Sequence, residues 1–470
     1  MKKNIHNKHT GLIVFAFFSV LWSGLCLSFL IPRFRLYYFA SAEKYAAYLD
    51  KMLTPQEIGS IITRCSLLGF AFYFFLLFLL IMEKYIIEKK EVKNLKIFFI
   101  SVITILAVAI RIAGFSYKTV DYLTQSEWVT FLRENGHFSG FGKFPGNYNA
   151  IYLYFLGILS YLPQSMELHL MKLISCAFDF ICAFFAMKII YLMTQSKKAG
   201  LITYAVILFS PTVFINSGLW AQCESMYAAF LLISFYYLLK NNIRFAMIMF
   251  GIGLSFKLQA IFPLPFVIFF FVYKKISFKH FMFIIIGFFI VSIPAWLFGW
   301  PLIRWFHNYF SGTNNVGSLT MNTPTIFTWG YIPYIMPVIF IAAVLFCIGF
   351  LIISRPSMPS KNTLLLLFLF CNTAIPFFLP NMHERYFFVG EIAVLLYSVV
   401  NPKRFWISLA VIMPALATYS GYLWGTNPFS LVHLSGIMLL AIIFISKWLI
   451  ESILEDQKLN RTRVVPGETD

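Results

Sequence analysis

Charged side chains are scarce in this sequence. Asp, Glu, Lys and Arg make up 12% of the 470 residues, whereas ordinary soluble domains contain about 25%. Hydrophobic residues make up 60%, and the mean hydropathy is +0.78. A chain with so few polar side chains cannot cover a folded domain with a water-compatible surface, so it needs lipid around it. The composition excludes a soluble globular domain and predicts an all-α polytopic membrane protein.

Acidic residues are scarcer than basic ones. The chain has 19 Asp and Glu against 37 Lys and Arg, which gives a net charge of +18. The basic residues stand in short clusters between apolar runs and not on one face of a soluble unit, which is typical of cytoplasmic loops in membrane proteins. The positive charge therefore indicates topology, and no nucleic-acid partner is predicted.

Cysteine motifs are absent as well. None of the seven cysteines forms a CxxC pair or a cluster with histidine. The sequence therefore predicts neither a disulfide framework nor a zinc site.

Long apolar runs, in contrast, recur along the whole chain. A helix needs about 20 apolar residues to cross a bilayer, and on this basis we predict about fourteen spans. They lie near residues 11–31, 62–82, 97–115, 170–192, 200–217, 223–240, 243–257, 259–273, 280–298, 332–353, 363–379, 385–399, 405–421 and 430–449.

The charge distribution orients these spans. If the N-terminus is cytoplasmic, alternate loops carry the Lys and Arg clusters, and four of the outer connections are almost free of these residues. The poorly charged connections lie near residues 218–222, 299–331, 380–384 and 422–429. Because basic loops stay in the cytoplasm, we expect a multi-pass protein of the cytoplasmic (plasma) membrane with both termini inside and these connections outside.

Three of the outer segments are long, at 32–61, 116–169 and 299–331. The first, and the stretch Trp128–Glu134 in the second, are amphipathic and predict helices that lie on the membrane surface. Loops of this length usually carry function, so the outer face is the expected location of a site. We expect the tail 451–470 to be cytoplasmic and partly disordered.

Few ionisable or amide side chains lie near the spans on the outer side, where such groups are costly and mark functional sites. They are Arg111, Asp121, Gln222, Glu224, Lys257, His383, Glu384 and Arg385. They are far apart in sequence but share one predicted membrane face, so they can form one composite site. Asp179 lies near the middle of its span, and we expect it to be a buried structural partner.

Five stretches resemble motifs of one enzyme family. The run WAQCES at Trp220–Ser225 resembles W-G-Q-x-D-S, with alanine for glycine and glutamate for aspartate. The run PNMHERY at Pro380–Tyr386 resembles P-x-M-H-E-R-Y, and KLQA at Lys257–Ala260, followed by PLP, resembles K-x-Q…L-P. PGNYN at Pro145–Asn149 resembles a Y-P-P or Y-N-P step, and Asp121 stands in the long outer loop 116–169, in the place of the family's first outer loop.

Together these motifs resemble the GT-C membrane glycosyltransferases, in particular the bacterial relatives of the enzyme that adds the second mannose to GPI anchors. The resemblance covers 97–400, which it marks as a catalytic module. The segment 1–96 then adds extra N-terminal helices and a basic cytoplasmic loop, 401–450 adds C-terminal helices, and 451–470 is the tail. The resemblance implies a GT-C fold with long outer loops that carry amphipathic helices.

The resemblance also implies a reaction. A hydroxyl of a cell-surface glycan or glycolipid attacks the anomeric carbon of a hexose, mannose by the family's name, carried by a polyprenyl phosphate. Asp121 matches the carboxylate that deprotonates the acceptor, usually with inversion. Cations suit the departing lipid phosphate, and the candidates are Lys257, His383, Arg385 and Arg111. Candidates for acceptor or sugar binding are Trp220, Gln222, Glu224, Tyr148 and Gln259.

Each of the charged candidates has a structural alternative. Asp121 fits a solvated loop acid or the N-cap of the helix around Trp128, and Lys257 fits a residue that snorkels to the interface. Arg385 can pair with Glu384 or with Asp179.

The remaining candidates also have alternatives. His383 fits a hydrogen-bonded interface residue, and Trp220 and Tyr148 fit an aromatic belt. Gln222 and Glu224 can bind acceptor hydroxyls, or they can orient Asp121 or a cation.

No pair of carboxylates has the spacing of a metal site. Asp121 is followed by Tyr122, so the Asp-Glu or Asp-x-Asp pair of metal-dependent relatives is missing, and we expect a metal-independent reaction without a cofactor. Two other functions fit the outer cations and the span count. One is a flippase or transporter of lipid-linked sugars, which should contain broken helices and internal repeats. The other is a polysaccharide polymerase or ligase.

Overall fold

The computed structural model describes most of the chain after residue 91. The described residues are 92–274, 276–301, 303–304, 320–321, 323–330, 332–354, 358–424 and 429–464. The predicted spans 11–31 and 62–82 and the predicted surface helix in 32–61 lie outside them. Within them the chain is helical apart from connections and one pair of two-residue strands.

The first half of the described chain forms eleven α-helices and three 3₁₀ turns. In chain order the α-helices are α1 (Val92–Ile112), α2 (Val120–Glu134), α3 (Ala150–Leu159), α4 (Gln164–Thr194), α5 (Lys197–Leu208), α6 (Pro211–Phe214), α7 (Glu224–Leu239), α8 (Ile243–Phe256), α9 (Leu264–Lys274), α10 (Met282–Ile290) and α11 (Ile293–Leu297). The 3₁₀ turns are His137–Lys143, Leu258–Ile261 and Phe278–Phe281, and a π-helical turn, Ile215–Leu219, continues α6.

The second half of the described chain adds five α-helices and two strands. The helices are α12 (Ile335–Ser354), α13 (Lys361–Phe378), α14 (Phe388–Val400), α15 (Trp406–Trp424) and α16 (Leu431–Val464), with 3₁₀ turns at Ile326–Trp329 and Pro402–Arg404. The strands β1 (Thr320–Met321) and β2 (Met382–His383) pair in parallel, with Thr320 opposite Met382.

Five of these helices, namely α4, α12, α13, α15 and α16, are long and apolar enough to cross a membrane by length and composition. A sixth candidate is the bent pair formed by α5 and Pro211–Leu219, whose halves meet at 48°. The protein is therefore an all-α membrane-embedded protein, as predicted. The predicted count of fourteen spans is not confirmed, because several of the predicted spans correspond to apolar helices of only 10 to 17 residues.

Helix α3 was not predicted from the sequence. It lies inside the predicted outer loop 116–169, and its ten residues are too few to cross a bilayer. Ala150, Leu153 and Leu156 are nevertheless fully buried. The segment is thus a packed core helix beside α2, where the sequence predicted part of a long outer loop.

The prediction of a partly disordered tail is wrong for residues 451–464, which continue helix α16. The physical reason is a polar contact with the start of α13. The Asp456 carboxylate accepts hydrogen bonds from the Ser360 backbone N–H at 2.8 Å and from the Thr363 hydroxyl at 2.6 Å. The Ser360 N–H belongs to the N-cap residue of α13 and is one of the donors that a helix N-terminus leaves unpaired, so this contact fixes α16 to the start of α13.

Candidate functional site

Asp121 lies in the first turn of α2. The N-cap of this helix is Thr119, whose hydroxyl accepts a hydrogen bond from the Tyr122 backbone N–H at 3.2 Å. The alternative that Asp121 itself caps the helix is therefore wrong. Its side chain is 27% exposed, and a carboxylate in the first turn is favoured by the positive end of the helix dipole.

Two side chains of the Trp220–Ser225 run hold the Asp121 carboxylate. The Trp220 indole Nε1–H donates to Asp121 Oδ2 at 2.9 Å, and the Gln222 amide donates to the same oxygen. Tyr422 on α15 stacks on the Trp220 ring at 4.6 Å and also interacts with Asp121. Trp220 is fully buried, so its indole orients Asp121 and does not present a face for a sugar.

The backbone turn at Ala221 makes this arrangement possible. Ala221 has φ +64°, in the left-handed region, which costs an L-residue other than glycine about 1–2 kcal/mol. The Gln222 backbone N–H then bonds to the Asn216 carbonyl at 2.9 Å. The reversal directs the side chains of Trp220 and Gln222 towards the same carboxylate.

Glu224, at the start of α7, holds both nearby cations. Its Oε1 atom lies 2.6 Å from Lys257 Nζ and 3.3 Å from Arg385 Nε, and its side chain is fully buried. Lys257 is only 12% exposed, so it does not snorkel to the interface. The sequence left the roles of Gln222 and Glu224 open. In the structure Gln222 orients Asp121, and Glu224 orients the two cations.

Arg385 joins the carboxylates from three segments. Its Nη1 atom lies 2.8 Å from Glu384 Oε1 and 4.0 Å from Asp121 Oδ2, in addition to the Nε contact with Glu224. The guanidinium also lies over the Trp220 ring, 5.2 Å from its centroid. The sequence offered Glu384 and Asp179 as structural partners of Arg385, and the structure pairs Arg385 with Glu384. We call Asp121, Glu224, Lys257, Glu384 and Arg385 the Asp121 site.

The loop before α14 has two groups with shifted pKa values. Burial, with the nearby cations of Arg385 and Lys257, lowers the pKa of His383 to about 3. His383 is therefore neutral at neutral pH and supplies no positive charge for a phosphate, although its ring can still donate one N–H. Burial raises the pKa of Glu384 to about 7, against the opposing effect of Arg385.

Tyr148 and Gln259 are the remaining residues predicted to bind the acceptor or the sugar. Lys257 Nζ lies over the Tyr148 ring at 5.4 Å, and Trp128 contacts the same ring at 5.4 Å. Gln259 lies in the 3₁₀ turn after Lys257, and its buried Oε1 atom has no hydrogen-bond donor among the described residues. Tyr148 thus contacts the Asp121 site through Lys257, and Gln259 lies two residues after Lys257 in the chain.

Arg111 is the one predicted site residue that the structure does not bring to this cluster. It is 1% exposed, and its Nε atom lies 2.8 Å from Asp179 Oδ2, which also accepts a hydrogen bond from Ser217. Asp179 is the buried structural partner that the sequence predicted. Arg111 therefore joins α1 to α4 and has no exposed surface for a donor phosphate.

Sequence reasoning missed Lys172, which is fully buried in α4. Its ammonium group donates to the carbonyls of Gly114 at 2.8 Å, Phe115 at 3.2 Å and Tyr117 at 2.5 Å. These carbonyls belong to the turn that leads into Thr119 and Asp121. The only available signal was a lysine inside an apolar span, which is costly unless partnered.

The Asp121 site combines a partly exposed carboxylate with two paired cations that are 12% and 9% exposed. Such a carboxylate can accept a proton from a bound hydroxyl, and the neighbouring cations can stabilise negative charge on a group that leaves. No protein-family model matches this chain, and a search of curated proteins finds no match either. The family resemblance therefore rests on the motifs and on the site that they form.

Proposed function

We propose that this protein is a GT-C type glycosyltransferase. It transfers a hexose from a polyprenyl-phosphate carrier to a glycan or glycolipid on the outer face of the cytoplasmic membrane. One observation carries the proposal. The motif residues Asp121, Trp220, Glu224, Lys257 and Arg385, which are scattered along the sequence, contact one another around a partly exposed carboxylate.

Asp121 is the general base in this proposal. As the acceptor oxygen forms a bond to the anomeric carbon, the acceptor hydroxyl proton moves to Asp121. The bond between the anomeric carbon and the phosphate oxygen breaks, and its electron pair leaves with the lipid phosphate. The Trp220 and Gln222 donors fix the direction of the carboxylate, which brings the proton acceptor and the reacting oxygen into a defined geometry.

Arg385 is the group best placed to meet the leaving phosphate. Its guanidinium lies 4.0 Å from Asp121 and is held by Glu224 and Glu384. A planar guanidinium that is fixed in advance stabilises a developing phosphate charge without further rearrangement. Lys257 adds a second positive charge next to Arg385, because both cations pair with Glu224.

The conformation of Ala221 also supports the family resemblance. The family motif has glycine at this place, and the chain adopts here the left-handed conformation that glycine adopts most readily. A motif that matched by chance would not require such a backbone at its glycine position.

A transporter of lipid-linked sugars is the second candidate, and the bent pair of α5 and Pro211–Leu219 favours it. Broken helices occur in transporters near the sites that bind substrates and ions. The Asp121 site is compatible with both functions, so they must be distinguished by measuring whether the protein transfers the sugar or transports it.

Sugar transfer is the decisive measurement. The purified protein in lipid is given a panel of radiolabelled polyprenyl-phosphate hexoses and a glycolipid extract from the source cell. Wild type should transfer one sugar, and Asp121→Asn should lose about 100- to 10,000-fold in rate while keeping its gel-filtration profile.

Each other outcome of this assay has a clear meaning. Transfer that survives Asp121→Asn would keep the enzyme class but remove Asp121 as the base. A folded wild-type protein that transfers no sugar but moves a labelled lipid-linked sugar across vesicles would support the transporter.

A further inference from the structure

The C-terminal end of α15 reaches the Asp121 site from a part of the chain that the motif resemblance does not cover. The resemblance ends at residue 400, and α15 spans Trp406–Trp424. Near the end of this helix, the Tyr422 ring stacks on the Trp220 ring at 4.6 Å, with 24° between the ring planes. The Tyr422 hydroxyl donates a hydrogen bond to the Asp121 carboxylate. The proposed transfer reaction assigns no step to this hydroxyl.

The end of α15 is also tied to the chain segment that carries Asp121. The Tyr117 hydroxyl donates to the Leu423 carbonyl at 2.8 Å, and both residues are buried. Tyr117 belongs to the turn between α1 and α2, shortly before Asp121. A tyrosine side chain has only two rotatable angles to fix. Because the backbone beside Tyr422 is held by Tyr117 and its ring by Trp220, the direction of its hydroxyl is set.

Tyr422 gives Asp121 a donor from a second direction. The Trp220 indole and the Gln222 amide come from one loop and donate to one oxygen, Oδ2. Donors from two separate segments restrain a carboxylate against rotation more fully than donors from one loop do. An ionised carboxylate accepts at about four lone-pair sites, so these three donors still leave a site for the proton of the acceptor hydroxyl.

We propose that Tyr422 is a positioning residue for the general base. Its hydroxyl, together with the donors of Trp220 and Gln222, holds the Asp121 carboxylate in the direction from which it takes the acceptor proton. A base that is oriented in advance lowers the barrier, because the reacting groups already have the required geometry. This role rests on the proposed transfer reaction, since it acts through the base of that reaction. It makes α15 part of the catalytic unit, although the resemblance ends before this helix.

Sugar transfer by Tyr422→Phe tests the proposal. The variant keeps the ring that stacks on Trp220 and removes only the hydroxyl, so its gel-filtration profile should match that of wild type. We expect kcat to fall by about 10- to 100-fold. The KM for the donor lipid should stay unchanged, because the hydroxyl contacts the base and not the substrate. A kcat equal to that of wild type would overturn the proposal.

Tyr419→Phe is the matched control. Tyr419 lies one turn earlier on α15, and its ring meets the Trp220 ring edge-on at 5.2 Å. Its hydroxyl lies beside Asn216 rather than Asp121, so kcat should keep its wild-type value. An equal loss in both variants would mean that removing either hydroxyl disturbs the packing around Trp220, and the specific role of Tyr422 would fall.

A double variant shows whether the hydroxyl acts through Asp121. In an Asp121→Asn background, Tyr422→Phe should cause little further loss of rate, because the base that it orients is already gone. If the two losses multiply instead, the hydroxyl acts independently of Asp121 and is not a positioning residue for it.

Thermal unfolding separates this proposal from the proposed function. Tyr422→Phe should lower the unfolding temperature of wild type more than that of Asp121→Ala, which lacks the hydrogen-bond acceptor. If this coupling is found but wild type transfers no sugar, the hydroxyl holds Asp121 and the glycosyltransferase function fails. If wild type transfers sugar but the coupling is absent, the function stands and the role of Tyr422 is wrong.

Discussion

The Arg111–Asp179 pair and the Asp121 site are two charged centres of the same helix bundle, and they differ in how their charges meet solvent. Arg111 and Asp179 are 1% and 0% exposed and contact each other directly. In the Asp121 site exposure rises from 0% at Glu224 through 9% at Arg385 to 27% at Asp121. The buried Arg111–Asp179 pair offers no group to a ligand. In the Asp121 site, by contrast, the Asp121 carboxylate is accessible, and the cations beside it are held by neighbouring carboxylates. Charge that joins helices can thus be told apart from charge that is available for chemistry.

The Asp→Asn substitution should destabilise the protein strongly in the Arg111–Asp179 pair and only slightly in the Asp121 site, and the former is the largest effect we expect on stability. Asp179→Asn leaves the Arg111 guanidinium buried without its anion, and breaking a buried pair in this way costs about 3–5 kcal/mol. Asp121→Asn changes a partly exposed group and should change the free energy of unfolding by less than about 1 kcal/mol. Thermal unfolding in detergent measures both variants.

The double variant Arg111→Met, Asp179→Asn is the control for this comparison. It removes the buried charge together with its partner, so it should recover part of the stability lost in Asp179→Asn. If Asp121→Asn destabilises the protein as much as Asp179→Asn does, the distinction between a structural and a functional centre is wrong.

Much of the Asp121 site could be predicted from sequence because charged residues are rare near the spans. Asp121, Lys257 and Arg385 stood out for this reason, and the structure brings them together. Their partners could not be predicted, because pairing depends on how the helices pack. Asp179 was a conceivable partner for Arg385, but α1 places Arg111 beside it instead.

The same limit applies to the fold. Apolar runs predicted a helical membrane protein, but they did not reveal α3. Its ten residues are too few for a span, yet seven of them are buried against α2 and its neighbours. Trp220 was predicted to be an aromatic-belt or sugar-stacking residue. Its indole N–H instead donates to Asp121 at 2.9 Å, and the sequence does not show that these two residues meet. Local composition gives no information on such tertiary contacts.

The pH dependence of stability should reveal Glu384, with a smaller effect. Burial raises the pKa of Glu384 from 4.5 to about 7, with Arg385 opposing the shift. Between these values the folded state keeps a proton that the unfolded state has lost, so this contribution to stability is complete below about pH 4.5 and is lost as the pH rises through about 7. Unfolding temperatures of wild type and Glu384→Gln, measured from pH 5 to pH 8, should therefore diverge, with the variant gaining relative to wild type.

Glu384 lies at the Asp121 site, so its titration should change transfer as well as stability, because a neutral Glu384 leaves Arg385 with one carboxylate partner fewer. Parallel pH profiles for wild type and Glu384→Gln would show that Glu384 does not titrate in this range.

The smallest expected effect concerns the turn that connects the two sides of the Asp121 site. Ala221→Gly removes the cost of the left-handed conformation at φ +64°, about 1–2 kcal/mol, but glycine loses more backbone entropy on folding. The net change should be stabilising and within about 1 kcal/mol. Ala228→Gly, at a fully buried position inside α7, should instead destabilise by about 1 kcal/mol. Unfolding temperatures that fall equally for both variants would show that the Ala221 conformation stores no strain, and the match to the glycine of the family motif would then lose its physical basis.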